Sequence, residues 1–318
     1  KPALLIDADF PVDVGTLEHQ WKSPWWQLIK GRTQMQANMR ITEDPDDLDR
    51  LQMRSNLQGL DIQLPPPFNK KATASSPLEL TIDFNPHQGF LLKTQWAKLL
   101  GTHLWFALKN GLVHLQKGEI RVGSTHASAQ VERGVQMLGH LDNFDDRQWQ
   151  SISEIAFQQT SDASLWSNID FVDLLVDKAH WFGQNMAKVN VKARRAQDIW
   201  NVQLKERLVR ADLQWNARKN AVDLHINRLQ IPQARAQRSS LYWPRLSPKN
   251  FPAVNLNIDH LFSKTIDLGH LQLRGSPQKK HWLLKDLKLD SREYQVRVEG
   301  KWRQRRHDIV TDQHNRTN

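Results

Sequence analysis
The chain has no cysteine, which removes disulfide frameworks, thiolate metal sites and cysteine nucleophiles at once. No run free of Asp, Glu, Lys and Arg exceeds ten residues, the longest being 99–108 and 122–131, so no stretch is long enough for a membrane-spanning helix. Lys1 opens no signal peptide. Charge is not concentrated either. Net charge is +10 from 44 Lys and Arg against 34 Asp and Glu, with local density only at Arg194-Arg195, Lys279-Lys280 and Lys301 to Arg306. Such a balance is compatible with a polyanionic partner or an acidic membrane surface, but so dispersed a pattern reads as an ordinary solvated surface rather than a nucleic-acid footprint.

What is present is alternation. From Phe251 to Trp302 apolar residues fall on every second position: Leu256 and Ile258, Leu271 and Leu273, Trp282 and Leu284, Leu287 and Leu289, then Tyr294, Val296 and Val298. The positions between them are mostly polar, so each strand has one oily and one wet face. Turn residues at 267–269, 275–277 and 290–291 favour an antiparallel meander. Thirteen Trp against two Tyr is unusual. Trp96, Trp105, Trp200, Trp215, Trp282 and Trp302 sit in strands or at their ends, suited to a boundary between apolar and wet surroundings or to a core.

The same grammar begins at the N-terminus with Leu4, Ile6, Ala8 and Phe10, then Met35 to Ile41, Leu51 and Met53, and Leu60 to Leu64. Pro65-Pro66-Pro67 interrupts it. It resumes with Leu78, Leu80, Ile82 and Phe84, continues as strands through 91–108, and predicts a hairpin around Lys117-Gly118 between Val113, Leu115 and Ile120, Val122. Residues 145–158 break the rule. Trp149, Ile152, Ile155 and Ala156 follow Asp145, a candidate N-cap, at helical spacing. Strands return with Val189, Val191 and Ala193, then Trp200, Val202 and Leu204, and a proline-broken crossover spans 239–252. The expected organisation is a strand segment at 1–144, a short helix and linker at 145–168, a second strand segment at 169–302, and a polar, disordered tail at 303–318. With alternation under way by Leu4 and no Met at position 1, the chain is expected to be part of a longer protein.

An internal repeat lies in the second segment. Asp177–Leu204 matches Asp259–Asp286 at a constant offset of 82 without a gap, pairing Val189 with Leu271, Val191 with Leu273, Trp200 with Trp282 and Val202 with Leu284. A repeated strand cassette buries its oily face by adding to its neighbours, in an open array or a closed sandwich alike.

No catalytic set emerges. The thirteen His are scattered without a His-Glu-x-x-His, and there is no phosphate-cradling glycine loop or nucleophile elbow. The acidic run 43–49 lacks the ligand spacing of a calcium loop. Neither a metal, a cofactor nor a catalytic residue is assigned.

Ordered motifs point to a family. Ser55 to Lys70, SNLQGLDIQLPPPFNK, followed by Pro77-Leu78-Glu79-Leu80, resembles the S-x-L-x-G…L-P-x-P…K…P-L block of the YhdP proteins, large AsmA-like envelope proteins of Gram-negative bacteria. Gly118 to Trp149, Arg228 to Pro232 and the opening of 251–302 resemble further blocks in the same order. The resemblance covers most of 35–302. It implies a mainly β fold: a long twisted antiparallel sheet curled into an open trough with an apolar inner face, plus one or two short helices. It also implies a periplasmic protein attached to the inner membrane through an N-terminal anchor that this chain lacks. Such proteins are implicated in moving phospholipids towards the outer membrane.

The leading expectation is therefore a non-enzymatic segment of a lipid conduit, with phospholipids as partners, other envelope proteins as further partners, and no nucleic acid. Its groove would be lined by Leu78, Leu80, Ile82, Phe84, Val189, Val191, Trp200, Val202, Leu256, Ile258, Leu271, Leu273, Trp282, Leu284, Leu287, Leu289, Val296 and Val298. Two alternatives stay open: a scaffold for envelope assembly using the same face, and a glycan-acting enzyme with a Trp-lined groove.

Overall fold
Nearly every alternating run becomes a β-strand. The structure, a computed structural model, describes residues 3–303 apart from 22, 45–46, 86–87, 110, 151, 153–167, 182–183, 232–250 and 280. It forms two compact units, Lys1–Asp212 and Leu213–Asn318. The expected linker at 159–167, most of the 239–252 crossover and nearly all of the tail lie outside the described residues.

The first unit contains β1 (Ala3–Asp13), α1 (Val14–Gln20), β2 (Ile29–Thr42), β3 (Asp49–Ser55), β4 (Leu60–Ile62), β5 (Leu78–Asn85), β6 (Gly89–Trp96), β7 (Leu100–Lys109), β8 (Leu112–Val122), β9 (Gly134–Asp145), β10 (Ile169–Trp181), β11 (Gln184–Ala196) and β12 (Ile199–Lys205). Pairing follows chain order from β1 to β12, except that β3 pairs with β5 while short β4 pairs with the start of β2. Strand β13 (Arg210–Asn216) contains the division between the units. The second unit continues with β14 (Ala221–Ile231), β15 (Ala253–Ser263), β16 (Ile266–Pro277), β17 (Trp282–Asp290) and β18 (Gln295–Trp302).

The mainly β class is the expected one, and most pairings are antiparallel. Among the described residues, β8 with β9, β9 with β10, and β14 with β15 pair in parallel. Parallel neighbours need a crossover. It is supplied by 123–133 for the first, and residues 146–150 and 152, which follow β9, are helical. Asp145 starts that helix as its side chain accepts the Arg147 N–H at 3.0 Å. Strands β9 and β10, on either side of 145–168, pair directly from Val135/Ile169 to Asp145/His180, with one register shift between Ile169 and Phe171.

One local expectation needs correction. Lys117-Gly118 is not a hairpin: β8 is one strand, and its register against β7 slips between Trp105 and Phe106. Gly118 takes φ +148° there, and a Cβ would meet the His103 carbonyl oxygen at 2.2 Å, so a bulge uses the glycine that sequence reads as a turn. Helix α1 is not marked by the alternation. Its N-cap Asp13 accepts the Thr16 N–H at 3.3 Å, but only one apolar side chain of the helix, Val14, is buried, too little periodicity to show through strand grammar.

Candidate apolar binding face
Register partners share a face of a sheet, so the pairings show what each face carries. In the first unit Ile6, Met39, Leu51, Ile82, Leu92, Leu104, Gly118, Val135 and Ile169 are successive partners from β1 to β10. The next row runs Ala8, Ala37, Met53, Leu80, Thr94, Thr102, Ile120, Met137, Val172, Ala193 and Val202, from β1 to β12. Its ten steps at ~4.8 Å span about 48 Å, interrupted only by two threonines. The opposite face is polar: Asp7, Asn38, Gln52, Thr81, Lys93, His103, Glu119 and Gln136 form one of its rows.

The apolar face carries aromatic side chains along both borders. Along one side Phe84, Phe90 and Phe106 form a ladder with ring centroids 6.1 and 4.8 Å apart. Along the other, Phe68 sits between Trp96 (6.1 Å) and Trp149 (6.0 Å), Trp149 stacks on Phe144 (6.3 Å), and Phe144 meets Trp181 (6.4 Å). Phe68 thereby packs against two clusters, one around Val122, Leu141, Val176, Val189 and Leu204, the other around Val14, Leu57, Leu60, Ile62 and Trp96.

The Ser55–Lys70 block places that ring. Ser55 Oγ donates to the Gln34 carbonyl at 2.7 Å and accepts the Leu57 N–H at 3.0 Å, shaping the turn into β4. Lys70 is buried, donating to the Leu60 and Lys71 carbonyls at 2.9 and 3.1 Å, and burial pushes its ammonium below the usual lysine range. It clamps the base of the loop that carries Phe68. Trp149 and Phe68 were missed as site residues because helical spacing and a proline run mark them as structure, and their meeting is non-local.

The polar face is held by buried carboxylates. Asp83 bonds Arg50 and, at 3.2 Å, Lys93. Its burial would raise the carboxyl, but these two cations outweigh that and hold it below the ordinary range. Glu119 accepts from Arg121 at 2.7 Å and from the Ser128 N–H at 3.1 Å, which fastens the 123–133 crossover over this face. Burial, then the Lys93 charge, pushes His103 down.

Two His/Asp groups gather ligand atoms within 4.8 Å: His140, Asp142 and Asp177, and Asp145, Asp146 and His180. The β9–β10 pairing creates both, so neither is visible in sequence spacing. In the second, Arg147 already binds both oxygens of Asp145, at 3.0 and 2.7 Å, and opposes a cation there.

Of the residues expected to line a groove, Leu78, Leu80, Ile82, Phe84, Val189, Val191, Trp200 and Val202 fall on the apolar face of the first unit, on β5, β11 and β12. In the second unit Ile226, Ile258, Leu271, Leu289 and Val296 form one row, and Leu224, Leu256, Leu273, Leu287 and Val298 another. A slip in the β17–β18 register between Leu284 and Leu287 keeps both residues on this face. Val189 and Ile258 are only 1% exposed and Trp282 7%, so these three are enclosed by protein. Trp282 lies across Gly275, where a Cβ would come within 1.9 Å of the indole, and its N–H donates to the Pro252 carbonyl at 2.9 Å. The others are half-buried or, like Val296 and Val298, exposed.

The ordered motifs and this architecture agree with a direct comparison: a model of the YhdP protein family matches residues 2–315. The chain belongs to the YhdP family. No curated protein and no solved structure matches it. Membership in the YhdP family suggests an envelope protein of the AsmA-like type, and YhdP is not a known enzyme family. Among the described residues no helix is long and apolar enough to cross a membrane.

Proposed function
We propose that this YhdP-family chain is a segment of a periplasmic conduit that carries phospholipid acyl chains along its apolar face between the inner and outer membranes. One observation supports the reading above all: a row of eleven register partners, apolar but for two threonines, with most of its members half-buried rather than sealed. An ordinary core closes such a row with a second layer. Here much of it keeps access to small apolar guests, and a lining built from side chains of many strands grips no single lipid. Headgroups would stay in water, where dispersed Lys and Arg attract acidic lipids.

Gentle extraction followed by mass spectrometry of bound lipid tests this. Wild-type protein should carry phospholipid, and Leu80→Asp combined with Leu92→Asp should lose it with the fold intact by circular dichroism. Absence of lipid from the wild-type protein would favour the assembly scaffold, and lipid lost only in step with unfolding would make the face a core.

A further inference from the structure
The polar face of the first unit has its own concavity. Asp9, Gln36, Arg54, Glu79 and Gln95 are successive register partners on β1, β2, β3, β5 and β6. They floor an open cleft of about 760 Å³, walled at one end by Thr125. That wall is built in: Thr125 packs its backbone on Gly101, the next partner in the row, where a Cβ would meet the Thr125 carbonyl oxygen at 2.5 Å. Arg54 and Glu79 pair at 3.0 Å, whereas Asp9, Gln36 and Gln95 form no side-chain hydrogen bond among the described residues. The cleft thus offers two free amides and a free carboxylate beside a neutralised ion pair.

We propose that this cleft binds an extended, uncharged β-1,4-linked glycan lying across the strands. Its lining carries two carboxylates and one guanidinium, which disfavours nucleic acid and other polyanions. Amides and carboxylates recur along the row at the strand spacing of ~4.8 Å, and two such spacings come close to the two-sugar repeat of a β-1,4-linked hexose polymer, whose alternate rings present the same face. An extended peptide repeats its same-face side chains every ~6.8 Å and falls out of step. Hydroxyl and N-acetyl groups supply both the donors and acceptors that amides need. Asp9 and Glu79 stand three strands apart, about 14 Å, beyond the separation that glycoside hydrolysis uses, so the cleft holds a chain rather than cutting it.

Titration calorimetry with chitohexaose, cellohexaose and maltohexaose tests the assignment. The two β-linked hexamers should bind saturably and α-linked maltohexaose should not. The Gln36→Ala and Gln95→Ala double variant should weaken binding by about tenfold or more, at about fivefold per lost hydrogen bond. Its unchanged thermal midpoint and lipid content would show that the fold and the apolar face survive. Absence of binding by both β-linked hexamers, equal binding of maltohexaose, or an unchanged affinity in the double variant would overturn the site, whatever the outcome for lipid.

Discussion

The two copies of the internal repeat can be set side by side at their offset of 82. One is β10–β11–β12 and the other β15–β16–β17. Each is entered through a parallel pairing, β9 with β10 and β14 with β15. The hairpin register is shared: Val172/Ala193 and Val176/Val189 in the first match Val254/Gly275 and Ile258/Leu271 in the second. Burial repeats as well, at Val176 and Ile258, Ala179 and Leu261, Ala193 and Gly275. The spacing of three between the first two pairs breaks alternation at the same point in both copies. Lys188 takes φ +52° opposite that point in the first copy, and the register slips between Ile258 and Leu261 in the second.

What differs is the cover. The first copy is overlaid by Phe68, Leu100, Val209 and other side chains from outside the cassette. The second receives Phe251, which meets Trp282 and Trp302 edge-on at 5.6 Å, and ends at an exposed β18 with Tyr294, Val296, Val298 and Trp302 about two-fifths open to solvent. Pairing and a few buried positions therefore set the cassette, while access to its oily face is set separately, by what other segments lay over it.

The largest expected effect tests that separation at one register position. Val189 is 1% exposed and its counterpart Leu271 is half-buried. Val189→Asp buries a carboxylate without a partner and should cost about 4 kcal/mol or more, unfolding the first unit in mild denaturant. Leu271→Asp should cost about half as much, because its carboxylate reaches water, while reducing bound lipid in the second unit. Equal losses in hydrogen-exchange protection would mean that both faces are dry core.

Next in size is removal of the cover itself. Phe68→Ala should cost about 3 kcal/mol in urea unfolding and raise binding of an apolar dye, since Val122 and Leu141 lose their lid. Dye binding unchanged from wild type would show that the rest of the aromatic series covers this border alone. Gly275→Val comes third, at about 2 kcal/mol, because the indole of Trp282 must leave its place. The counterpart change Ala193→Val starts from a residue that already carries a Cβ at its place and should cost less by the same assay.

Much of this was legible from sequence because a one-sided sheet writes its burial as a period of two. The strands that carry Leu80, Leu92 and Leu273 follow from that period, and the offset of 82 reads as a repeated strand cassette. The rest depends on where distant segments meet. Phe68, Trp149 and Trp181 are separated by long stretches of chain, and no spacing rule brings them to one border. Parallel pairing at β8–β9–β10 hid behind turn-like glycines such as Gly118. The polar cleft escaped because Gln36 and Gln95 are ordinary wet-face residues until the register aligns them.

The smallest effect comes from the Asp267 turn of the second copy. Asp267 accepts the Gly269 N–H at 2.9 Å and meets His260 at 3.0 Å, and its counterpart in the first copy is Asn185. The backbone hydrogen bond, more than the His260 contacts, holds the Asp267 carboxyl below its ordinary value of 3.8. A carboxyl lowered by folding binds fewer protons in the native state, so its contribution is fully present above the unfolded value and fades as pH falls through the folded one. Exposure and salt screening reduce it to about 0.3 kcal/mol. Asp267→Asn should remove this acid sensitivity from the second unit, measured as its hydrogen-exchange protection from pH 5 to 3, and leave the first unit's profile unchanged. An identical pH profile in the variant would show that the Asp267 carboxylate contributes nothing to the turn.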